Sequence, residues 1–418
     1  MDPRSSSSGE DRISGLPDEL LHVILVRLRC ARAAARTSVL SGRWRHVWTY
    51  MPELVLDDGG PDAPPSLPPR ASFMDTVDAA LRACLAPALE CLTIGLSCAR
   101  DTPPASRVAP WLRFASQHVV GTLNLYVLCL PNGDVEEEEA ALELPTCKRA
   151  KNITLFMVRP WRLCLPPVGM FAALTSLTIR YGRVEGSELT ALVCRQCPRL
   201  KILNLVTTLV VTSDVTICSD SLHSAWVWLK NTRRLEIVAP GLELLSLSDT
   251  IEARISAPKL GKLIWYGNVY DPRLHQFVDV GNRLQQLRIE GRQAVVASLM
   301  RQFDEVDELK LEIYIPRQSP CPLSCHCRFE ENRRIDNISL NSLEEVTISS
   351  YASPCGELEF VEHLQRCNAP ILKRLVIENM ISAAPPTKET CEKIRNMCRP
   401  NIKVEFYLLS SKGMVRCE

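Results

Sequence analysis

Two hydrophobic rhythms divide the chain. Between Asp11 and Asp57 apolar residues return at helical spacing, as Leu20, Leu21, Ile24, Leu25 and Leu28. Pro17 opens this helix, because the first turn does not use the amide hydrogen that proline lacks. Asp18 and Glu19 follow where the helix dipole favours negative charge. A second short helix is expected from about Ala31 to Val39, and a third carries Trp44, Val47 and Trp48 on one side. Gly59 to Arg70 is rich in proline and reads as a linker or irregular loop. Ala71 to Ala86 is helical, with Phe73, Val77 and Leu81 on one face.

From about Leu89 the rhythm changes to apolar, two others, apolar, one other, apolar. It appears as Leu89-Leu92-Ile94, Leu174-Leu177-Ile179, Leu200-Leu203-Leu205 and Leu242-Leu245-Leu247. It returns as Leu260-Leu263-Trp265, Leu284-Leu287-Ile289, Leu343-Val346-Ile348 and Leu372-Leu375-Ile377, with weaker copies near Leu123, Ile153, Leu235 and Leu309. Clear copies lie roughly 18 to 30 residues apart, near the leucine-rich repeat period. The last two apolar residues of each copy share one side of a strand and face a core. Each repeat buries that face only by stacking on its neighbours. The fold class expected is therefore α/β: a small N-terminal helical module, then an irregular leucine-rich repeat solenoid. Its sheet is parallel and curved, with helices or loops on the convex side. The rival is an ordinary α/β domain with regular strands.

The residue between the paired apolar positions faces outward, as Thr93, Thr178, Asn204, Ser246, Ile264, Arg288, Thr347 and Val376. Ile264 and Val376 are apolar where solvent is expected. With Tyr266, Tyr270 and Arg288 nearby, Ile264 marks a candidate contact for a protein target, since interface anchors favour aromatic and arginine side chains. Trp265, as the last apolar residue of its repeat, reads equally as core.

Of the 418 residues 46% are hydrophobic, enough for a large core. Forty-nine Lys and Arg against 48 Asp and Glu leave a formal charge of +1, which argues against nucleic acid as the main partner. No apolar run reaches the roughly 18 to 20 residues of a membrane span. The serine-rich start has no apolar signal core, so a cytoplasmic or nuclear location is expected. The 18 cysteines lie largely among apolar residues and read as small buried hydrophobes rather than a disulfide framework. Cys194 and Cys197 form a CxxC with no second pair at zinc-ribbon distance. Cys321, Cys325, His326 and Cys327 are tightly spaced for one tetrahedral site, and a loop between repeats is the reading adopted. Glu136 to Glu139 reads as a solvated acidic loop. Neither a P-loop, HExxH nor GxSxG motif is present, and no cofactor or metal is expected.

A helical unit under 50 residues long cannot bury this many apolar side chains, so part of its surface meets either the rest of the chain or a partner. The stretch resembles the plant F-box motif in Asp11-Arg12-Ile13-Ser14, Leu16-Pro17-Asp18-Glu19-Leu20-Leu21, Arg36-Thr37-Ser38-Val39-Leu40-Ser41 and Arg43-Trp44-Arg45, closing with Trp48 and Pro52. The resemblance implies docking on a Skp-type adaptor, and through it a cullin, by Leu16, Pro17, Leu20, Leu21, Ile24, Leu28, Val39, Leu40 and Trp44, with Trp48 packed beneath. Leu28-Arg29-Cys30-Ala31-Arg32 departs from the Leu-Pro turn and acidic or polar residue of many relatives. Cys194 to Leu205 and Ala257 to Trp265 resemble repeats of F-box and leucine-rich proteins. Gly356, Glu359-Phe360-Val361, Leu364, Asn368-Ala369-Pro370 and Leu372 to Ile377 resemble the FBD region, with Phe360, Leu364, Cys367 and Ile371 at helical spacing. The expected organisation is a tail at 1–10, the F-box at 11–57, a linker at 58–70, repeats at 71–339, an FBD-like cap at 340–408 and a tail at 409–418. The function implied is target recognition in a ubiquitin ligase. The alternatives are a binding scaffold outside any ligase and a small-molecule sensor.

Overall fold

The computed structural model describes residues 15–27, 44–58, 70–96, 103–128, 141–158, 161–248, 250–266, 270–280, 284–290, 299, 302–303, 309–315, 339–341, 343–350, 358, 361–362, 364–365, 367–379, 388–410 and 413–417. The chain forms two compact units, residues 1–182 and 183–418.

In the first unit, helix α1 (Asp18–Arg27) starts where sequence places it. The Pro17 carbonyl accepts hydrogen bonds from the amides of Leu20 and Leu21, both at 3.1 Å. Helix α2 (Trp44–Val47) runs into a tight turn at Trp48–Tyr50. Leu21 and Leu25, one turn apart, are buried with Val47 and Met51, and Leu16, Val26 and Trp48 pack around them. His22 Nε2 donates to the Val47 carbonyl at 2.9 Å and ties α1 to α2.

The repeats begin earlier than expected. Glu53–Asp57, assigned from sequence to the F-box, is strand β1, parallel to β2 (Leu89–Leu96). Its Leu54 and Leu56 alternate at the strand period, a signal two positions long and hidden by the helical residues just before it. Helix α3 (Arg70–Ala83) and helix α4 (Ala105–His118) flank β2 in the chain, and β3 (Val119–Val127) follows. Trp111 Nε1 donates to Asp78 Oδ1 at 2.6 Å, and Arg107 pairs with Asp75 and Asp78, joining α4 to α3. Next come β4 (Ala141–Glu143), β5 (Asn152–Met157), β6 (Arg162–Cys164) and β7 (Ser176–Val184). Strands β1, β2, β3, β5 and β7 lie side by side in that order, all parallel. Strands β4 and β6 pair separately.

The second unit opens with helix α5 (Gly186–Ala191), which widens into a π-helical turn at Leu192–Gln196. Two long strands follow, β8 (Ile202–Cys218) and β9 (Ser224–Val238). Then come β10 (Leu244–Ser248), β11 (Glu252–Ser256), β12 (Lys262–Tyr266), β13 (His275–Val278) and β14 (Gln286–Glu290). The first half of β8 pairs with the first half of β9, then β10, β12 and β14 in parallel. The second halves of β8 and β9 continue into β11 and β13, a second parallel ladder. Leu235, read from sequence as a weak copy of the repeat, belongs to this second ladder.

Repeat length explains the second ladder. Matched core positions advance by roughly 18 to 24 residues from β8 to β14, against roughly 30 or more where α3 and α4 occur. A helix gains about 1.5 Å per residue and a strand about 3.3 Å, so only an extended return segment closes a short turn of the array. The returns in this region are therefore strands, where the sequence reading expected helices or loops.

Three turns of the array are entered through a short motif. In Cys197-Pro198-Arg199-Leu200, Ala239-Pro240-Gly241-Leu242 and Ala257-Pro258-Lys259-Leu260 the leucine amide donates to the carbonyl of the first residue at 3.1 to 3.3 Å. Proline presets the dihedral of the second turn position, and the small first residue is buried. The array continues through β15 (Leu309–Ile315), β16 (Leu343–Ser350) and β17 (Arg374–Asn379) to helix α6 (Lys388–Met397) and β18 (Lys403–Ser410). Residues 409–418, expected as a tail, contain the end of β18 and strand β19 (Gly413–Cys417), which pairs antiparallel with β18. An antiparallel strand needs only a short reversal and covers the edge that a parallel array leaves open. In the FBD-like stretch Val361 and Leu364 are buried, whereas Ile371 is exposed in the turn before β17.

Candidate adaptor-docking and target-binding surfaces

Helix α1 carries apolar residues on both sides. Leu21 and Leu25 are fully buried, but Leu20 is 49%, Val23 50% and Ile24 40% exposed. These three fall at i, i+3 and i+4 and form one outward ridge. Leu16 is half-buried and Pro17 exposed at its N-terminal end. The adaptor set read from sequence thus divides. Leu20 and Ile24 face out, and Leu21 serves the module's own core, because a helix with apolar residues at 20, 21, 24 and 25 must present them on two flanks. Val23 was missed, though its place one turn before the helix end was legible. Leu28, Val39, Leu40 and the Arg29 to Arg32 turn lie outside the described residues, and Trp44 is placed only as the first residue of α2.

On the second unit, strand register joins the outward residues read from separate repeats. Asn204, Ser246, Ile264, Arg288, Thr347 and Val376 share one file, in register with Trp226, Glu312 and Glu405 on the strands between and beside theirs. A neighbouring file includes Val206, Trp228, Ser248, Tyr266 and Glu290. The Trp228 and Tyr266 rings meet edge to face at 4.8 Å across the short Ser248, and Trp228 Nε1 donates to the buried Ser246 Oγ at 3.4 Å. Sequence reasoning missed Trp226 and Trp228 because Ala225 replaces a leucine in their repeat; the period-two alternation of β9 was the available signal.

Ile264 lies in the file but is only 7% exposed, with Ser246 and Arg288 on its two sides. Tyr270 does not join the face. It is buried, stacked on His275 at 5.5 Å and edge-on to Trp265 at 5.3 Å, and its hydroxyl donates to Gln302 Oε1 at 3.4 Å. Burial pushes its phenol well above the usual range.

Toward β18 the same face is held by ion pairs. Arg374 bridges Glu345 at 2.6 Å and Glu405 at 2.7 Å, and Lys403 lies 3.0 Å from Glu405. Hydrogen bonds from Lys403 and Arg374 draw the Glu405 carboxyl down to about 2. The aromatic part of the face lies on β9 and β12, in Trp226, Trp228 and Tyr266, with β10 between them. Among the described residues no group of three or more His, Cys, Asp and Glu is placed to hold a metal ion. The Cys321 to Cys327 cluster and the acidic run at 136–139 lie outside them.

Residues 108–300 match the family described as FBD-associated F-box protein At5g56370, LRR repeats. Over these repeats the chain is similar to plant F-box proteins with leucine-rich repeats. The F-box/FBD/LRR-repeat protein At2g04230 of Arabidopsis thaliana is 29% identical over 277 residues, 60% of this chain and 56% of the relative. The FBD-associated F-box protein At5g18780 of Arabidopsis thaliana is 50% identical over 77 residues, 18% of this chain and 16% of the relative. F-box/LRR-repeat protein 25 of the same plant is 57% identical over 47 residues, 11% of this chain and 18% of the relative. The chain spans about half the length of the curated F-box relatives it matches at 27 to 29% identity. The matched family region begins inside α4 and includes both ladders of β8 to β14.

Proposed function

We propose that this protein is the target-recognition subunit of a Skp–cullin–F-box ubiquitin ligase, acting in the cytoplasm or nucleus. The observation that carries the reading is the exposed ridge of Leu20, Val23 and Ile24 on a helix whose opposite flank is already buried. Burying an exposed Leu or Ile contributes roughly 1.5 to 3 kcal/mol, so such a ridge is stabilised by a partner. The kinship with F-box proteins supports a Skp-type adaptor as that partner. The repeats hold the target through the outer face of β9, β10 and β12, where Trp226, Trp228 and Tyr266 supply the aromatic area that interface anchors favour.

The mechanism is tethering. Adaptor and cullin bring a ubiquitin-charged enzyme to one side, the repeats hold a target on the other, and effective concentration supplies the rate gain. The protein contributes no acid, base or nucleophile. The test is capture of a purified plant Skp-type adaptor by the full chain. Leu20→Asp with Ile24→Asp weakens capture at least about a hundredfold while the melting temperature stays within a few degrees. Equal capture by wild type and double variant rejects the reading.

A further inference from the structure

We infer that Cys194 and Cys218 form a dithiol that closes to a disulfide when it meets a low-molecular-weight disulfide such as oxidised glutathione. The site shares no residue with either surface described above.

The sequence pairs Cys194 with Cys197, but the structure separates them. Cys197 is the buried first residue of its Pro-Arg-Leu turn, and desolvation pushes its thiol up to about 12. Cys194 sits instead in the π-helical turn and points at the end of β8. Its Sγ donates to the Thr216 carbonyl at 3.3 Å and accepts the Cys218 amide hydrogen at 3.2 Å. The Cys218 Cα is one bond beyond that nitrogen, hence within about 4.7 Å of the Cys194 sulfur. The Cys218 sulfur is two bonds from that Cα, so the pair is within reach of a disulfide, whose closure requires the Cys218 χ1 torsion to aim its sulfur at Cys194.

Exposure sets the order of events. Cys218 is exposed and Cys194 half-buried, and burial holds the Cys194 thiol above its ordinary value. Cys218 therefore reacts first. Its thiolate attacks one sulfur of oxidised glutathione, forms a mixed disulfide and expels a glutathione thiolate. Cys194 then loses its proton to solvent, and its sulfur attacks the Cys218 sulfur and expels the second glutathione thiolate. Two protein thiols are oxidised, one glutathione disulfide is reduced, and two protons pass through solvent to the released thiolates. The new bond pins the π-helical turn to the second ladder and closes the chain segment containing all of β8.

The experiment equilibrates the full chain in glutathione buffers of increasing oxidised fraction, alkylates the remaining thiols and maps the peptides. A Cys194–Cys218 linked peptide is expected as the predominant oxidised species, reversed by dithiothreitol. Cys194→Ser is expected to hold Cys218 as a glutathione adduct, and oxidation is expected to raise the melting temperature of the wild type but not of this variant. A wild-type map that shows glutathione retained on Cys218 beside free Cys194, a link from Cys218 to another cysteine, or no link over the whole range overturns the inference. The wild-type map decides the matter even where a variant folds poorly.

Discussion

Trp265 lies beneath the outer file. It contacts Tyr270 at 5.3 Å and His275 at 5.0 Å, both edge to face. His275 is itself held from two sides, donating from Nε2 to the Thr250 carbonyl at 3.1 Å and accepting the Asp271 amide hydrogen at Nδ1 at 3.0 Å. Trp265→Ala removes the centre of this group and is expected to lower unfolding free energy by about 3 to 5 kcal/mol in urea titration. Tyr270→Phe removes only a long hydroxyl contact, and about 1 kcal/mol or less is expected. The role of Trp265 was legible as the last apolar residue of its repeat. That of Tyr270 was not, because only tertiary packing gathers Trp265, His275 and Gln302 around it. Glu405 gives a second residue-scale expectation. Its carboxyl is drawn below the ordinary value near 4.5 to about 2, so its stabilisation is present above pH 4.5 and is lost as pH falls toward 2. Glu405→Gln is expected to melt at lower temperature than wild type at pH 6, with the gap narrowing steadily as pH falls through that window.

The elements of the middle repeats are decided by length. Val215, Leu235, Ala253 and His275 occupy one file of the second ladder, as do Ile217, Ile237, Ile255 and Phe277. Their alternation is visible in the sequence, but each stretch is short and follows a stronger leucine pattern. Register, which no single strand contains, shows them to be neighbours. Strand β11 lies between β9 and β13, so Arg254→Pro removes a donor from an interior strand. A loss of roughly 1 to 3 kcal/mol per unpaired backbone group is expected. Arg254→Thr keeps the strand and should stay within about 0.5 kcal/mol of wild type. Equal midpoints for both variants in urea would contradict a second ladder. The Ala-Pro-x-Leu turns, by contrast, were written locally: a small residue, a proline and a leucine suffice because the turn closes on its own backbone.

At the scale of the molecule, the docking ridge belongs to residues 1–182 and the aromatic face to residues 183–418. Two surfaces that share no residue and lie on different compact units are expected to fail separately. Trp228→Ser with Tyr266→Ser should lose partners captured from plant extract yet hold the adaptor as wild type does. The aspartate pair on α1 should do the reverse. Loss of both activities in either variant, with the fold kept, would show that the surfaces are not independent.

The sequence alone determined what local periods and short motifs can encode: a helical module with apolar residues beyond its own needs, a strand-forming repeat, and outward positions between paired core residues. Spacing along one chain sets each of these. The tertiary structure decided which flank of α1 is buried, that short returns fold as a second ladder, that Trp226 and Trp228 stand beside Ile264 and Tyr266, and that Cys194 meets Cys218 rather than Cys197. The first depends on how α1 packs against Val47 and Met51; the others depend on how strands and turns roughly 20 residues apart are brought together, which is settled only when neighbouring turns bury their apolar faces against one another.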